Sequence, residues 1–164
     1  MRPASMKIHP PQYFQILKKK NGRITNIIDD IEAAIREGVS MQLTEFSKDF
    51  QPTVNGLNHL WYWVKKNIQY EEDGEEAQIV QEPARLNTSR KGDCKSFTLF
   101  VVSVLICLRI PFTIQYVHYS DTDSNHVYPI AHLPGGDVIV DAVWTRFNEQ
   151  KEPYRLIRWQ LYKL

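Results

Sequence analysis

Cysteine is scarce in this sequence, and neither sign of charge is in excess. Only Cys94 and Cys107 are present, and 20 Lys and Arg stand against 19 Asp and Glu, a net charge of +1. Two cysteines build no disulfide scaffold. If both lie on one helix, the 13 steps from one to the other span about 20 Å at about 1.5 Å per residue, whereas a disulfide needs Cα atoms within about 7 Å. Both thiols are therefore expected to be free, as suits a reducing compartment. The balanced charge argues against a dedicated nucleic-acid binder, whose affinity comes mainly from a basic surface that neutralises phosphates. The run Lys18, Lys19 and Lys20 reads as a solvated end. No long hydrophobic run is present either. The longest, from Phe97 to Leu108 with Thr98 and Ser103 inside it, would span about 18 Å as a helix against the roughly 30 Å of a membrane core. Residues Met1 to Tyr13 hold Arg2, Lys7, His9 and three prolines without an apolar segment, so no signal peptide is visible and a cytoplasmic location is expected.

Recognisable ligand motifs are missing as well. No Gly-x-x-x-x-Gly-Lys or Gly-x-Gly-x-x-Gly phosphate loop occurs, and the cysteines are too far apart for a zinc pair. Asp121-x-Asp123-x-Asn125 begins like a calcium loop, but its sixth position is His126 rather than Gly and its twelfth is His132 rather than Glu; it reads as a solvated loop. No cofactor and no metal are expected. What is present is ordinary globular material, 43% hydrophobic and 24% charged over 164 residues. That length fits a single domain, 1–164, with residues 1–20 as an N-terminal arm and a core over about 24–164.

Apolar residues Ile24, Ile27, Ile28, Ile31, Ala34 and Ile35 recur at helical spacing and stop before Gly38; this predicts a helix. Met41 to Phe50 is a weaker helical piece ended by Pro52. Leu57, Leu60, Trp61, Val64 and Ile68 form another stripe, with Lys65 and Lys66 on its wet side, and Glu71 to Glu76 reads as a loop. Ala77 to Gly92, punctuated by Pro83, Asn87, Thr88, Ser89 and Gly92, is expected to be mostly loop. Cys94 to Arg109 is apolar on nearly every side, is stopped by Pro111 and is too long for a typical strand; it predicts a buried helix with Asp93 as N-cap. Strand-like runs follow at Phe112 to Tyr119, His126 to Leu133 and Asp137 to Trp144, the last two joined through Pro134-Gly135-Gly136. Tyr154 to Leu164 is a closing strand. Helices first and sheet last give an α+β class.

Chemistry concentrates at Lys91-Gly92-Asp93-Cys94-Lys95-Ser96-Phe97. A thiol heading a helix meets the positive end of the macrodipole and unpaired N–H groups, which favour thiolate. Gly92 leaves room beside the sulfur for a substrate carbonyl. Free cysteine is also a common core hydrophobe, and Cys107 reads that way. A thiol nucleophile needs a base. His9 lies in the arm and His59 on a helix, which leaves His118, His126 and His132 in the strand region. Strand parity puts Asp141 on the same sheet face as His126. With Gly135 and Gly136 as a two-residue turn, Asp141 faces Ile130; with the loop centred on Leu133 and Pro134, it faces His126 directly, the preferred register.

Gly92-Asp93-Cys94, the apolar helix ending before Ile110-Pro111, the strand opening His126-Val127-Tyr128 and the run Val138-Ile139-Val140-Asp141 together resemble the transglutaminase-like superfamily over about Leu57 to Trp144. The resemblance implies a papain-like core, its central helix headed by Cys94 and packed on a C-terminal antiparallel sheet, with a Cys94–His126–Asp141 triad. Gln78-Ile79-Val80-Gln81-Glu82-Pro83 is similar to the Gln-x-Val-x-x-Pro of compact phage and prophage members. That likeness would make Gln78, with Gln81 as fallback, an amide donor to an oxyanion beside the Cys94 N–H. Two departures stand out. Lys95 occupies a position where many relatives carry an acid, and the tryptophan common two positions after the histidine is here Tyr128. The implied activity is hydrolysis of a peptide or protein amide through a thioester, with no nucleic-acid or membrane partner. The alternatives are transamidation and a non-catalytic binding or structural module such as a phage-particle component.

Overall fold

A computed structural model describes residues 17–19, 26–73, 78–151 and 154–164, with the backbone alone at 17–19, 26 and 78. Apart from 17–19, the expected arm, with His9, lies outside the described residues. Strand β1 (Leu17–Lys19) precedes helix α1 (Asn26–Arg36), in which Asp29 in the first turn and Arg36 in the last complement the helix dipole. Its buried stripe is Ile28, Ile31 and Ala34, and Gly38 takes a left-handed φ of 82° where the chain turns away. A 3-10 turn, Val39–Leu43, leads into the short α2 (Thr44–Ser47). Helix α3 (Val54–Asn67) is capped by Thr53, whose hydroxyl accepts from Gly56 N, and buries Leu57, Leu60 and Val64.

The stretch expected to be mostly loop instead holds three short elements after β2 (Gln69–Tyr70): β3 (Gln78–Val80), α4 (Pro83–Ser89) and β4 (Lys91–Gly92). Pro83 starts α4, where its fixed φ and missing N–H cost nothing, and Arg90 ends it in the left-handed region at φ 58°. Strands of two and three residues are too short to show a period, which is why they escape pattern reading. β1 pairs antiparallel with β3, and β2 pairs parallel with β4.

Helix α5 (Cys94–Cys107) is the centre of the molecule, with every residue from Lys95 to Leu105 buried. Ser103 satisfies its own hydroxyl on Leu99 O at 2.7 Å. Trp63 stacks on Phe100 at 5.6 Å, with Phe46 edge-on to both rings. The sheet follows: β5 (Phe112–Tyr119), β6 (Ser124–Leu133), β7 (Gly136–Ile139) and β8 (Arg155–Tyr162), all antiparallel in the order β7-β6-β5-β8. Val127 and Ala131 pack with α5 in the main core, and Thr98 Oγ1 donates to Val127 O at 3.2 Å. The alternate residue Tyr128 joins Val117 and Tyr119 in a second cluster on the opposite face. The class is α+β, as the sequence predicts. Among the described residues, no helix is long and apolar enough to cross a membrane.

Gly56 is a fixed point of this scaffold, because an added Cβ would lie 1.8 Å from the Gln51 carbonyl oxygen. Gly56→Ala is expected to cost about 3 kcal/mol, the upper end for overpacking against backbone. Urea unfolding of the variant against the wild type measures it.

Candidate active site

Asp93 caps α5 as predicted, its Oδ1 accepting from Lys95 N at 3.0 Å. Cys94 thereby takes the first helical position, where a backbone N–H has no intrahelical acceptor. The sulfur is partly buried against the core. Cys107, thirteen residues on at the far end of the same helix, is likewise free and donates to Ser40 O at 3.2 Å; burial pushes its thiol above the ordinary value.

Each histidine of the strand region has a carboxylate beside it. His118 Nε2 lies 3.3 Å from Asp123, His132 Nδ1 is 2.7 Å from Asp137, and His126 Nε2 is 2.6 Å from Asp141 Oδ2. A carboxylate neighbour therefore does not single one out; burial and the sulfur do. His126 is 8% exposed, and Cys94 is close enough to bear on the protonation of its ring. Because Nε2 is taken by Asp141, the nitrogen left for the sulfur is Nδ1. Burial alone would push the imidazole down. The hydrogen bond and charge of Asp141, followed by the influence of Cys94, outweigh burial and raise it to about 10.

Neither expected register is the observed one. β6 and β7 pair Ile130 with Ile139 and Leu133 with Gly136, around a two-residue turn at Pro134-Gly135. This offset lies midway between the two expectations, so the parity survives. Asp141 comes level with Tyr128 and reaches His126 diagonally across the same face. The third strand run, expected to reach Trp144, stops at Ile139 because Asp141 makes a turn of its own. Its Oδ1 accepts from Val143 N at 3.1 Å and its carbonyl from Trp144 N at 3.2 Å. Two residues of α3 that pattern reading passed over hold this turn: Trp61 Nε1 donates to Asp141 O at 2.8 Å, and Lys65 Nζ to Trp144 O at 3.0 Å. Their i, i+4 spacing puts them on one helix face, so Lys65, expected on the wet side, instead reaches the Asp141 turn.

No protein-family model matches the sequence, nor does any curated protein. Among solved structures, LapG of Legionella pneumophila, a transglutaminase-like cysteine protease, superposes with a TM-score of 0.52 at 15% identity, over 79% of this chain and 77% of that one. The fold is transglutaminase-like. A candidate cysteine protease from Cytophaga hutchinsonii is also similar, at 12% identity and a TM-score of 0.49 over 75% of this chain, which spans 50% of the Cytophaga chain. The compact phage likeness of the sequence has no counterpart among these neighbours.

Both departures from the pattern that the sequence resembles have physical partners in this site. Lys95, 3% exposed, forms an ion pair with Asp93 and lies 3.4 Å from Asp73 Oδ2. Asp73 in turn accepts from Ile79 N at 2.6 Å, so the buried ammonium joins the head of α5 to β3. Tyr128, the second departure, stacks on His126 at a centroid distance of 5.6 Å. Tyr70 and Tyr116 are within electrostatic reach of Cys94. Burial first, and then the Cys94 charge, pushes both hydroxyls up, so both stay protonated at neutral pH.

The expected oxyanion donors fare differently. Gln78 has its backbone in β3, a strand tied to α5 where Gln81 N donates to Ser96 Oγ at 3.0 Å, but its side chain lies outside the description. Gln81, the fallback, is spent on structure: Nε2 donates to Lys91 O at 2.7 Å and Oε1 accepts from Ser89 at 2.8 Å. Gly92 also has a different reason from the expected one. Its missing Cβ would sit 2.6 Å from Leu86 Cδ1 and 3.2 Å from Ser96 Cβ, so it permits close packing of α4 on α5 rather than approach of a substrate.

A group whose folded value is raised stabilises fully below its unfolded value and loses that contribution as pH rises through the folded one. For His126 the window runs from 6.5 to about 10. The wild type is expected to lose more stability between pH 7 and pH 10 than His126→Gln does, which urea midpoints at the two pH values measure.

Proposed function

We propose that this chain is a thiol-dependent amide hydrolase in which Cys94 is the nucleophile, His126 the acid and base, and Asp141 the orienting carboxylate. The observation that carries this reading is a single buried imidazole that bonds Asp141 through Nε2 and lies within electrostatic reach of the Cys94 thiol. The fold neighbours are cysteine-protease-like, which supports the same class of chemistry.

An imidazole raised to about 10 carries its proton at neutral pH and sets a positive charge against the sulfur, the ion-pair form of an activated thiol. The sulfur attacks the amide carbonyl carbon, and the carbonyl electron pair moves to oxygen. When the tetrahedral species collapses, the C–N bond breaks and the His126 proton goes to the departing amine. A thioester remains. Water then attacks it, giving one proton to His126; the C–S bond breaks, the carboxylic acid leaves, and the thiolate–imidazolium pair is restored. Asp141 holds the ring so that one nitrogen serves both transfers. The developing oxyanion takes the Cys94 N–H and the Gln78 amide as donors; losing one such donor elsewhere costs about 10²–10³ in rate, and Gln78→Ala is expected to fall in that range. The substrate is a peptide or protein, and the functional unit is the single domain of about 24–164.

Alkylation by iodoacetamide tests the reading without a known substrate, because Cys107 is a built-in reference on the same helix. At pH 6 an ordinary thiol is under one per cent thiolate, so an ion-paired Cys94 is expected to react about 100-fold faster than Cys107. His126→Ala is expected to abolish that preference, and Cys94→Ala to abolish turnover with the fold intact. Slow and equal labelling of the two cysteines in the wild type overturns the assignment. Amine incorporation in place of hydrolysis would move the acceptor from water to an amine and leave the triad standing.

A further inference from the structure

The His126 ring is held by more than its bond to Asp141. Along β6 and β5 the register sets Val117 opposite His126 and Ser124 opposite Tyr119, so Tyr119 and Tyr128 stand on opposite sides of the imidazole on one sheet face. Their rings stack on it at centroid distances of 6.0 Å and 5.6 Å, tilted by 28° and 21°. Each tyrosine is itself fixed. Gln115 Nε2 donates to Tyr128 OH at 2.6 Å, and that hydroxyl donates to Gln150 Oε1. Lys151 Nζ lies 5.0 Å from the Tyr119 ring centroid and is anchored by Asp121 at 2.8 Å.

The geometry points to Tyr119 and Tyr128 as positioning residues for His126: the two rings clamp the faces of the imidazole, while Asp141 holds its edge, and Lys151 braces the clamp from outside. The inference rests on the triad reading and adds to it a reason why the ring cannot rotate between its two proton transfers. Rotation about the side-chain bond would break the Asp141 bond and drive the imidazole edge into an aromatic face. The clamp also suits the charged form, because a cation gains from two aromatic faces in a buried setting. The titratable groups facing the ring are Cys94 from α5, Asp141 from the turn after β7, Tyr119 from β5 and Tyr128 from β6. Lys151 and Asp121 lie one layer further out.

The pH profile of Cys94 alkylation, followed by mass spectrometry on the intact chain, tests the clamp. A coupled thiol–imidazole pair titrates in two steps, and the upper one reports the imidazolium. Tyr119→Leu is expected to lower the upper step by about half to one pH unit, the size of a lost cation–aromatic contact. Tyr119→Phe and Tyr128→Phe keep the ring and are expected to keep the wild-type position, a rescue that loss of packing alone would not produce. If Tyr119→Leu does not fold, Lys151→Met reads the clamp from its outer layer. Removing the second cation from the Tyr119 ring is expected to raise the upper step, with Lys151→Arg restoring it. An unchanged step in folded Tyr119→Leu, or in Lys151→Met, overturns the inference, as does a Phe variant that shifts like the Leu one. If His126→Ala alkylates like the wild type, the triad reading itself fails. If His126→Ala loses the reactivity and Tyr119→Leu keeps the wild-type profile, only the clamp fails.

Discussion

A helix with no polar side has to be surrounded, and α5 imposes that condition on the rest of the chain. Its eleven consecutive buried residues cannot lie on a surface, so α1, the 3-10 turn, α2, α3 and α4 gather on some sides of it and the face of β6 covers another. Only the ends are free of the requirement. The C-terminal end holds Cys107, hydrogen-bonded and half-buried. The N-terminal end, capped by Asp93, presents Cys94 beside the sheet. The place of the thiol therefore follows from where a wholly apolar helix must put its first turn.

Charge is then concentrated where burial makes it costly. Asp93, Lys95, His126 and Asp141 are each below one-tenth exposed. A buried charge is tolerated when it is paired and hydrogen-bonded, and each of these is. The Asp73–Lys95–Asp93 group ties the loop after β2, strand β3 and the head of α5 together. The His126–Asp141 bond is backed by Trp61 and Lys65 from α3 through the turn that Asp141 itself forms. The two networks flank the sulfur, so small movements of α3 or β3 bear on the same point. Removing one partner from either network would leave an unpaired charge in a low-dielectric setting, which ties the geometry of the site to the stability of the fold.

The departures from the pattern that the sequence resembles read differently once their neighbours are known. Lys95 in place of an acid is a compensated change, because two carboxylates meet its ammonium. Tyr128 in place of tryptophan still lays an aromatic face on the imidazole and adds a hydroxyl that Gln115 and Gln150 secure. Gly92 next to the reactive segment serves packing, a reminder that a glycine near a nucleophile does not by itself signal substrate access.

The long elements were legible from residue order alone. α5 follows from the sixteen-residue, mostly apolar segment Cys94 to Arg109, the thiol at its head from the N-cap, and β5 and β6 from their composition and turn signals. Parity along two strands was enough to put His126 and Asp141 on one face. The offset of that pairing, the choice among three histidines that each have a carboxylate neighbour, and the short elements between Gln78 and Gly92 were decided only by the tertiary structure. Local propensity acts over a few residues and parity repeats every two, so neither can distinguish registers that differ by two. Which imidazole is buried beside sulfur, and which tyrosines, tryptophan and lysines enclose it, depends on contacts between residues up to 80 positions apart. Such contacts exist only once α5 has drawn the helices and the sheet around itself.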